Sequence, residues 1–236
     1  MIYRFDTLTS TNDEARNPRY AHGDIIVAEY QTEGRGQRGN RWASDAGKNL
    51  MFSVVLAPEN LAVAAQFSLL ECVALALVDT FTHFQIDTTI KWTNDIYVGD
   101  RKLVGVLIEN SLSGALVSRS VVGIGINVNQ TTFDPSLPNP TSMALAAGYT
   151  FDRDEVLSHF AEALRLRYND LALNAEALHA EYIERMYRRG IEAQFLLPDG
   201  TSLRGTIRDV APRGDLLIDT PDGPRSFLFK EILFVI

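Results

Sequence analysis

One four-residue link does most to limit the fold. Val98-Gly99-Asp100-Arg101 precedes the apolar run at residues 102–109, and its Gly-Asp pair reads as a hairpin turn. Strands joined so briefly must run antiparallel, because a parallel return needs a crossover of a dozen residues or more. The sheet is therefore at least partly antiparallel, which predicts an α+β layered domain and not a purely parallel one. Residues 24–30 and 50–56 are short, rich in branched or aromatic side chains and bounded by turn formers, so both read as buried strands; residues 88–92 and 120–128 are further strand candidates. Between residues 61 and 84 the pattern changes to Ala- and Leu-rich sequence without Gly or Pro, which predicts a helix buried over much of its surface.

A Pro-rich polar loop follows at 131–141, then helical patterns at 152–172 and 175–189. Beyond Gly190, short alternating runs are separated by Pro198-Asp199-Gly200, Pro212-Arg213-Gly214 and Pro221-Asp222-Gly223. Turn signals so closely spaced predict a small SH3-like β-barrel, giving a main domain at 1–189 and a C-terminal barrel at 190–236. With 46% hydrophobic and 22% charged residues the chain can bury a real core. Its net charge of −8 argues against a protein that coats nucleic acid or an anionic membrane, so any phosphate site must be local. The single cysteine, Cys72, lies in an apolar run and reads as a small buried hydrophobe. The N-terminus lacks the basic start and apolar stretch of a signal peptide, and no uncharged stretch reaches bilayer length, so a cytoplasmic location is expected. His22, His83, His159 and His179 show no ligand spacing, and no metal site of the protein's own is expected.

Chemistry concentrates in three segments. Gly34-Arg35-Gly36-Gln37-Arg38-Gly39-Asn40-Arg41-Trp42 satisfies G-x-G-x-x-G and follows a strand, yet turn formers and another strand follow it where a Rossmann or P-loop motif would open a helix. Glycines that let backbone N–H groups approach closely, beside arginines that offer planar charged forks, predict an anion-binding loop able to fold over its ligand. Lys91-Trp92-Thr93-Asn94-Asp95 places a cation, an amide and a carboxylate at a strand end, suited either to a nucleotide or to a hairpin with a core Trp. Lys102 opens a strand interrupted by Gly105, and Gly123 and Gly125 precede Asn127; glycine inside a strand often marks a close approach by a ligand or another backbone. Taken alone, a lysine such as Lys102 is more commonly an edge lysine that discourages aggregation.

These segments, in this order and together with Ser10-Thr11-Asn12 and Gln31, resemble the biotin protein ligase family, the biotin-[acetyl-CoA-carboxylase] ligases. The resemblance implies that family's catalytic fold: a mixed, largely antiparallel sheet packed with helices, like that of class II aminoacyl-tRNA synthetases, followed by a small barrel. It implies that biotin carboxylate attacks the α-phosphorus of ATP to give biotinyl-5'-AMP and pyrophosphate, and that a lysine of a biotin carboxyl carrier protein domain then takes the acyl group. Lys102, Arg35, Lys91 and Asp95 match catalytic positions, Asp95 being a candidate to steer or deprotonate the incoming amine. Ser10, Thr11, Asn12, Gln31, Gly34, Arg35, Gly36, Lys102, Gly105 and Gly123 match the biotin pocket. Arg35, Gln37, Arg38, Trp42, Lys91, Asn94, Asp95, Lys102 and Asn127 match the nucleotide side. Mg2+ is expected to enter with ATP, held mainly by phosphates and water.

At Gln37 the family usually carries arginine, so Arg35 or Arg38 must cover the adenylate in its place, or the intermediate is held less tightly. The matching pattern begins within ten residues of Met1, which leaves no room for the DNA-reading domain of some members and predicts a monofunctional enzyme, monomer or homodimer, with no nucleic-acid or membrane partner. Two rivals stand beside this reading: a lipoate protein ligase or octanoyl transferase of similar fold, and a non-catalytic biotin-binding module.

Overall fold

The structure is a computed structural model that describes residues 1–236 apart from the side chain of Arg38. The first half runs β1 (Ile2–Leu8), α1 (Thr11–Ala15), β2 (Ile25–Gln31), β3 (Leu50–Leu56), α2 (Phe67–His83), β4 (Thr89–Lys91), β5 (Asp95–Val98), β6 (Arg101–Ser113) and β7 (Leu116–Ile126). Its seven strands form one sheet in the order β1-β2-β3-β7-β6-β5-β4. β1 and β2 pair in parallel, and every other neighbouring pair is antiparallel, including the β5–β6 hairpin at Gly99-Asp100.

Alternation along the central strands sorts the two faces. All seven residues of β3 are buried, as an apolar run covered on both sides requires. Phe52 and Val54, with Val122, Ile124 and Ile126 of β7, face the main core beneath α2. Val55 and Val121 point the other way, to a smaller cluster with Ala15 of α1 and Tyr20.

The chain continues with α3 (Met143–Ala147), α4 (Arg153–Leu173) and α5 (Ala175–Glu184). α4 starts where Asp152 accepts hydrogen bonds from the N–H groups of Asp154 and Glu155, and α5 where Asn174 accepts one from Ala177. α2 and α4 cover the core face together, and Phe160 of α4 meets Phe52 edge-on at 5.2 Å. Truncating Phe160, which is wholly buried, to Ala would cost about 3–5 kcal/mol.

The C-terminal strands β8 (Glu192–Leu196), β9 (Ser202–Val210), β10 (Leu216–Thr220), β11 (Gly223–Phe227) and β12 (Leu233–Phe234) form an antiparallel sheet in the order β11-β10-β9-β8-β12. Phe195, Ile207, Leu216 and Ile218 of this sheet join the same apolar core as α2. Polar contacts reinforce the seam. Trp92 Nε1 donates to the carbonyl of Gly214 at 2.9 Å, and His179 lies between Glu71 at 2.7 Å and Asp209 at 3.0 Å.

The α+β architecture with a second C-terminal sheet is the expected one; the details differ in three places. α2 begins at Phe67, not residue 61, because a 3-10 turn at Val63–Ala65 precedes it. The last helical pattern ends at Glu184, where the chain turns through positive φ at Arg188 and Gly190. β1 and the two short helices α1 and α3 are further elements. Finally, Val63–His83 reaches bilayer length in an apolar composition although Glu71 and Asp79 interrupt it, and 67% of its apolar window is buried inside the protein, as a core helix requires. Cys72 is buried as expected, and burial pushes its thiol up to about 12.

Candidate active site

The glycines of β6 and β7 make a flat floor on the sheet face away from α2 and α4. Gly105 pairs with Gly125, and Gly123, two residues along, pairs with Ser53 and Leu107. All three are closely covered. A Cβ at Gly123 would come within 2.2 Å of Asn12 Oδ1, and one at Gly125 within 2.3 Å of the Trp42 indole. The same indole stands 2.9 Å from a Cβ position at Gly105. Only residues without side chains let Asn12 and Trp42 lie this low over the sheet.

One end of the resulting cavity, about 150 Å³ in volume, is polar and buried. Ser10, Thr11 and Asn12, at the start of α1, are each 3% exposed. Thr11 N–H donates to Gln31 Oε1 at 2.7 Å, while Ser53 Oγ hydrogen-bonds to Thr11 Oγ1 at 2.8 Å and to Asn12 Oδ1 at 2.6 Å. Asn12 Nδ2 also donates to Glu109 at 2.8 Å. This end is a closed hydrogen-bond network on rigid elements.

The other end carries the cations. Lys102 is strapped to the 139–141 segment by backbone bonds from its N–H to Asn139 O and from Thr141 N–H to its own carbonyl. Its Nζ pairs with Asp95 Oδ1 at 2.6 Å. Asn94 fixes the turn between β4 and β5, donating its side-chain amide to the carbonyl of Val106. Lys91 Nζ sits over the rings of Phe234 at 4.8 Å and Tyr97 at 5.3 Å. Burial lowers the pKa of the Lys91 ammonium; Asp95 opposes that shift, and Lys102 and Arg188 add to it. Burial likewise pushes the Tyr97 hydroxyl up to about 12.

The glycine-rich loop closes the third side as a small hairpin. Trp42 N–H donates to Gly34 O, Gly36 N–H donates to Asn40 O, and Arg35 and Arg41 face each other across an isolated bridge. Arg35 reaches Asp13 at 2.6 Å and Glu109 at 3.4 Å. Trp42 Nε1 is buried with no hydrogen-bond partner among the described residues.

Of the expected residues, Ser10, Thr11, Asn12, Gln31, Arg35, Gly36, Gln37, Trp42, Lys91, Asn94, Asp95, Lys102, Gly105 and Gly123 line this one cavity. Two others are placed elsewhere. Asn127 lies off the cavity, buried, with its side-chain amide donating to the carbonyl of Thr141 at 2.9 Å, so it braces the strap that holds Lys102. Gly34 sits behind the lining, closing the base of the loop against Trp42. The side chain of Arg38 lies outside the described residues.

Several contributors were missed. Asp13 and Glu109 are the counter-ions of Arg35, and no local spacing joins them to it. Phe229 brings the C-terminal region to the cavity wall. Ser53 braces the polar end from beneath; a lone serine in an otherwise apolar buried strand was the signal that could have found it.

The sequence profile of the Biotin/lipoate A/B protein ligase family matches residues 2–127, the part of the chain that builds the floor, the polar end and the cations. This chain belongs to that family. Among the family's members it is similar to the biotin–[acetyl-CoA-carboxylase] ligase of Paracoccus denitrificans, 35% identical over 246 residues that cover 99% of each chain. It is also similar to the bifunctional ligase/repressor BirA of Bacillus subtilis, 36% identical over 249 residues covering 98% of this chain and 73% of that one. In three dimensions it resembles the biotin protein ligase from Aquifex aeolicus in complex with biotin and ATP, with a TM-score of 0.82 and 26% identity, covering 98% of this chain and 97% of that one. Family likeness in fold therefore extends through the C-terminal sheet.

Proposed function

We propose that this chain is a ligase that activates biotin with ATP to biotinyl-5'-AMP and transfers the biotinyl group to one lysine of a biotin carboxyl carrier protein domain, as the names of its relatives suggest. The observation that carries the reading is the convergence of Lys102 and Arg35, from separate elements, on a cavity whose far end is ringed by buried polar groups. Biotin's ureido group needs such partners, because each of its polar atoms loses water on entry. The linear chain of lipoate does not need them, which favours biotin over the sister substrate.

In the first step a carboxylate oxygen bonds to the α-phosphorus and the bond to pyrophosphate breaks. Two anions must meet, so the positive charge of Lys102 and Arg35 offsets their repulsion and stabilises the charge that builds on the phosphorus oxygens. Both cations already hold carboxylates, Asp95 and the Asp13–Glu109 pair, which the substrate's own anions displace. Lys91 lies further along the same wall, toward the phosphates. In the second step the acceptor amine attacks the anhydride carbonyl, AMP leaves, and the amine gives up a proton. Asp95, freed from Lys102, stands where it can steer that amine. Mg2+ arrives with ATP, held mainly by phosphate oxygens and water. A reaction that consumes ATP and modifies a carboxylase belongs in the cytoplasm, and a net charge of −8 fits a protein partner in place of nucleic acid.

Incubating the protein with MgATP, biotin and a carrier domain is expected to add one biotinyl mass to the carrier. Biotin-dependent exchange of labelled pyrophosphate into ATP isolates the first step. Modification with lipoate but not biotin would overturn the substrate, and binding of biotin without exchange would leave only a sensor. Residues 34–42 are expected to exchange amide hydrogens more slowly once biotin and ATP are bound.

A further inference from the structure

On the far side of the sheet from the cavity, three side chains distant in the sequence meet. His83 ends α2, and Glu155 and His159 stand one turn apart on α4, a spacing that puts both on one helix face. The packing of α2 on α4 brings His83 against that face. One ring nitrogen of each histidine and one carboxylate oxygen of Glu155 all lie within 4.8 Å of one another. The imidazoles stack with centroids 3.6 Å apart and planes inclined by 27°. Phe84 meets both rings edge-on, at 5.0 Å and 5.4 Å, and is itself backed by Phe151 at 5.5 Å. An aromatic wall therefore holds the two imidazoles from behind while water reaches them in front.

Nothing else engages these groups. Among the described residues, neither histidine's ring nitrogens nor the Glu155 carboxylate has a hydrogen-bond or ion-pair partner. His83 also lies in the last turn of α2, where the helix's carbonyl ends favour a cation.

We propose that His83, Glu155 and His159 form a surface site for a divalent transition metal, Zn2+ above all, that staples the end of α2 to the first two turns of α4. Two imidazoles and one carboxylate are the donor set of borderline ions such as Zn2+, Co2+, Ni2+ and Cu2+; Mg2+ and Ca2+ seek oxygen ligands alone. With bonds of about 2.0–2.2 Å the ligand atoms of a tetrahedral site stand roughly 3.3 Å apart, and because a metal lies in the plane of each imidazole it joins, binding requires the exposed His83 ring to swing out of the stack toward the exposed Glu155. Water completes the coordination. The histidine spacings in the sequence concealed this set because His83 joins the Glu155–His159 pair only through the packing of α2 on α4, so this proposal replaces the expectation of no metal site.

The site is separate from the cavity, and its test needs no ligase activity. The full-length, metal-free protein is titrated with ZnCl2 near neutral pH in competition with a chromophoric chelator, and its thermal midpoint is followed in parallel. One equivalent of Zn2+ and a raised midpoint are expected. His83→Ala and His159→Ala should each weaken binding by at least about tenfold, since losing even an outer-shell partner costs 10–100-fold, and should abolish the rise in midpoint. Glu155→Gln should weaken it less, and His22→Ala should leave it unchanged. With Cu2+ in place of Zn2+, electron paramagnetic resonance should show coupling to two imidazole nitrogens in the wild type and to one in His159→Gln, with circular dichroism confirming that each variant is folded. No saturable equivalent, or one whose affinity is the same in His83→Ala and His159→Ala, would overturn the assignment.

Discussion

The two ends of the cavity are held in place by different physics. At the polar end, Ser10, Thr11, Asn12 and Ser53 are buried, and the hydrogen bonds of the last three join groups on α1, β2 and β3 that do not move independently. On the cationic sides, Lys102 at the other end and Arg35 on the covering loop are about a third exposed and held by carboxylates. Buried, satisfied hydrogen bonds specify a shape, whereas ion pairs in contact with water are worth little and exchange partners readily. The molecule thus recognises with its rigid end and does its chemistry with its exchangeable end.

The sharpest way to break this contrast is Lys102→Ala. If the lysine's charge is used in the transition state, biotin-dependent pyrophosphate exchange should fall by on the order of 10²–10³-fold while the KM for biotin changes far less. A loss seen mainly in KM would place Lys102 in binding instead. Next in size is Gly123→Ala. The added methyl drives the Asn12 amide off its bonds to Ser53 and Glu109, and overpacking of this kind costs about 1–3 kcal/mol. Here the expected loss is in biotin affinity, measurable by calorimetry, with kcat largely kept.

Ser53→Ala removes a brace that touches no substrate. It should weaken biotin binding by about 1 kcal/mol, the usual worth of a buried hydrogen bond, and Ser53→Thr is too bulky to restore it in a wholly buried position. An unchanged affinity would mean that the polar end is not held from beneath. The smallest effect belongs to Asp13→Asn. Releasing one exposed counter-ion of Arg35 should lower the KM for ATP by less than about fivefold, with the gain fading as salt is added. A loss of binding larger than that for Ser53→Ala would mean that the cationic end is as rigid as the polar one.

What could be read from the sequence was what lies close together in the chain. The β5–β6 hairpin, the buried strand β3 and the turns of the C-terminal sheet each declare themselves within a few residues. β1 does not: its residues are half-buried or exposed along a sheet edge, so its composition carries little apolar signal, and its parallel pairing with β2 is a long-range event. The glycines were legible as places of close approach, but what approaches Gly125 is the protein's own Trp42, a contact between distant segments. Asn127 shows the opposite case: it follows two floor glycines, yet β7 ends at Ile126 and the next side chain turns inward to the 139–141 strap, a placement that rests on long-range packing. The counter-ions Asp13 and Glu109 find Arg35 only once α1 and β6 are brought beside the loop.

The chain contains two tryptophans. Trp92 is tied to the C-terminal sheet through Gly214, whereas Trp42 rests its indole on the bare glycine floor with its N–H unsatisfied. A ligand that settles on that floor has to shift or enclose Trp42, while Trp92, which also lines the cavity, stays anchored through its bond to Gly214. Intrinsic emission from the unlabelled protein therefore carries an occupancy signal, since both of its tryptophans line the cavity.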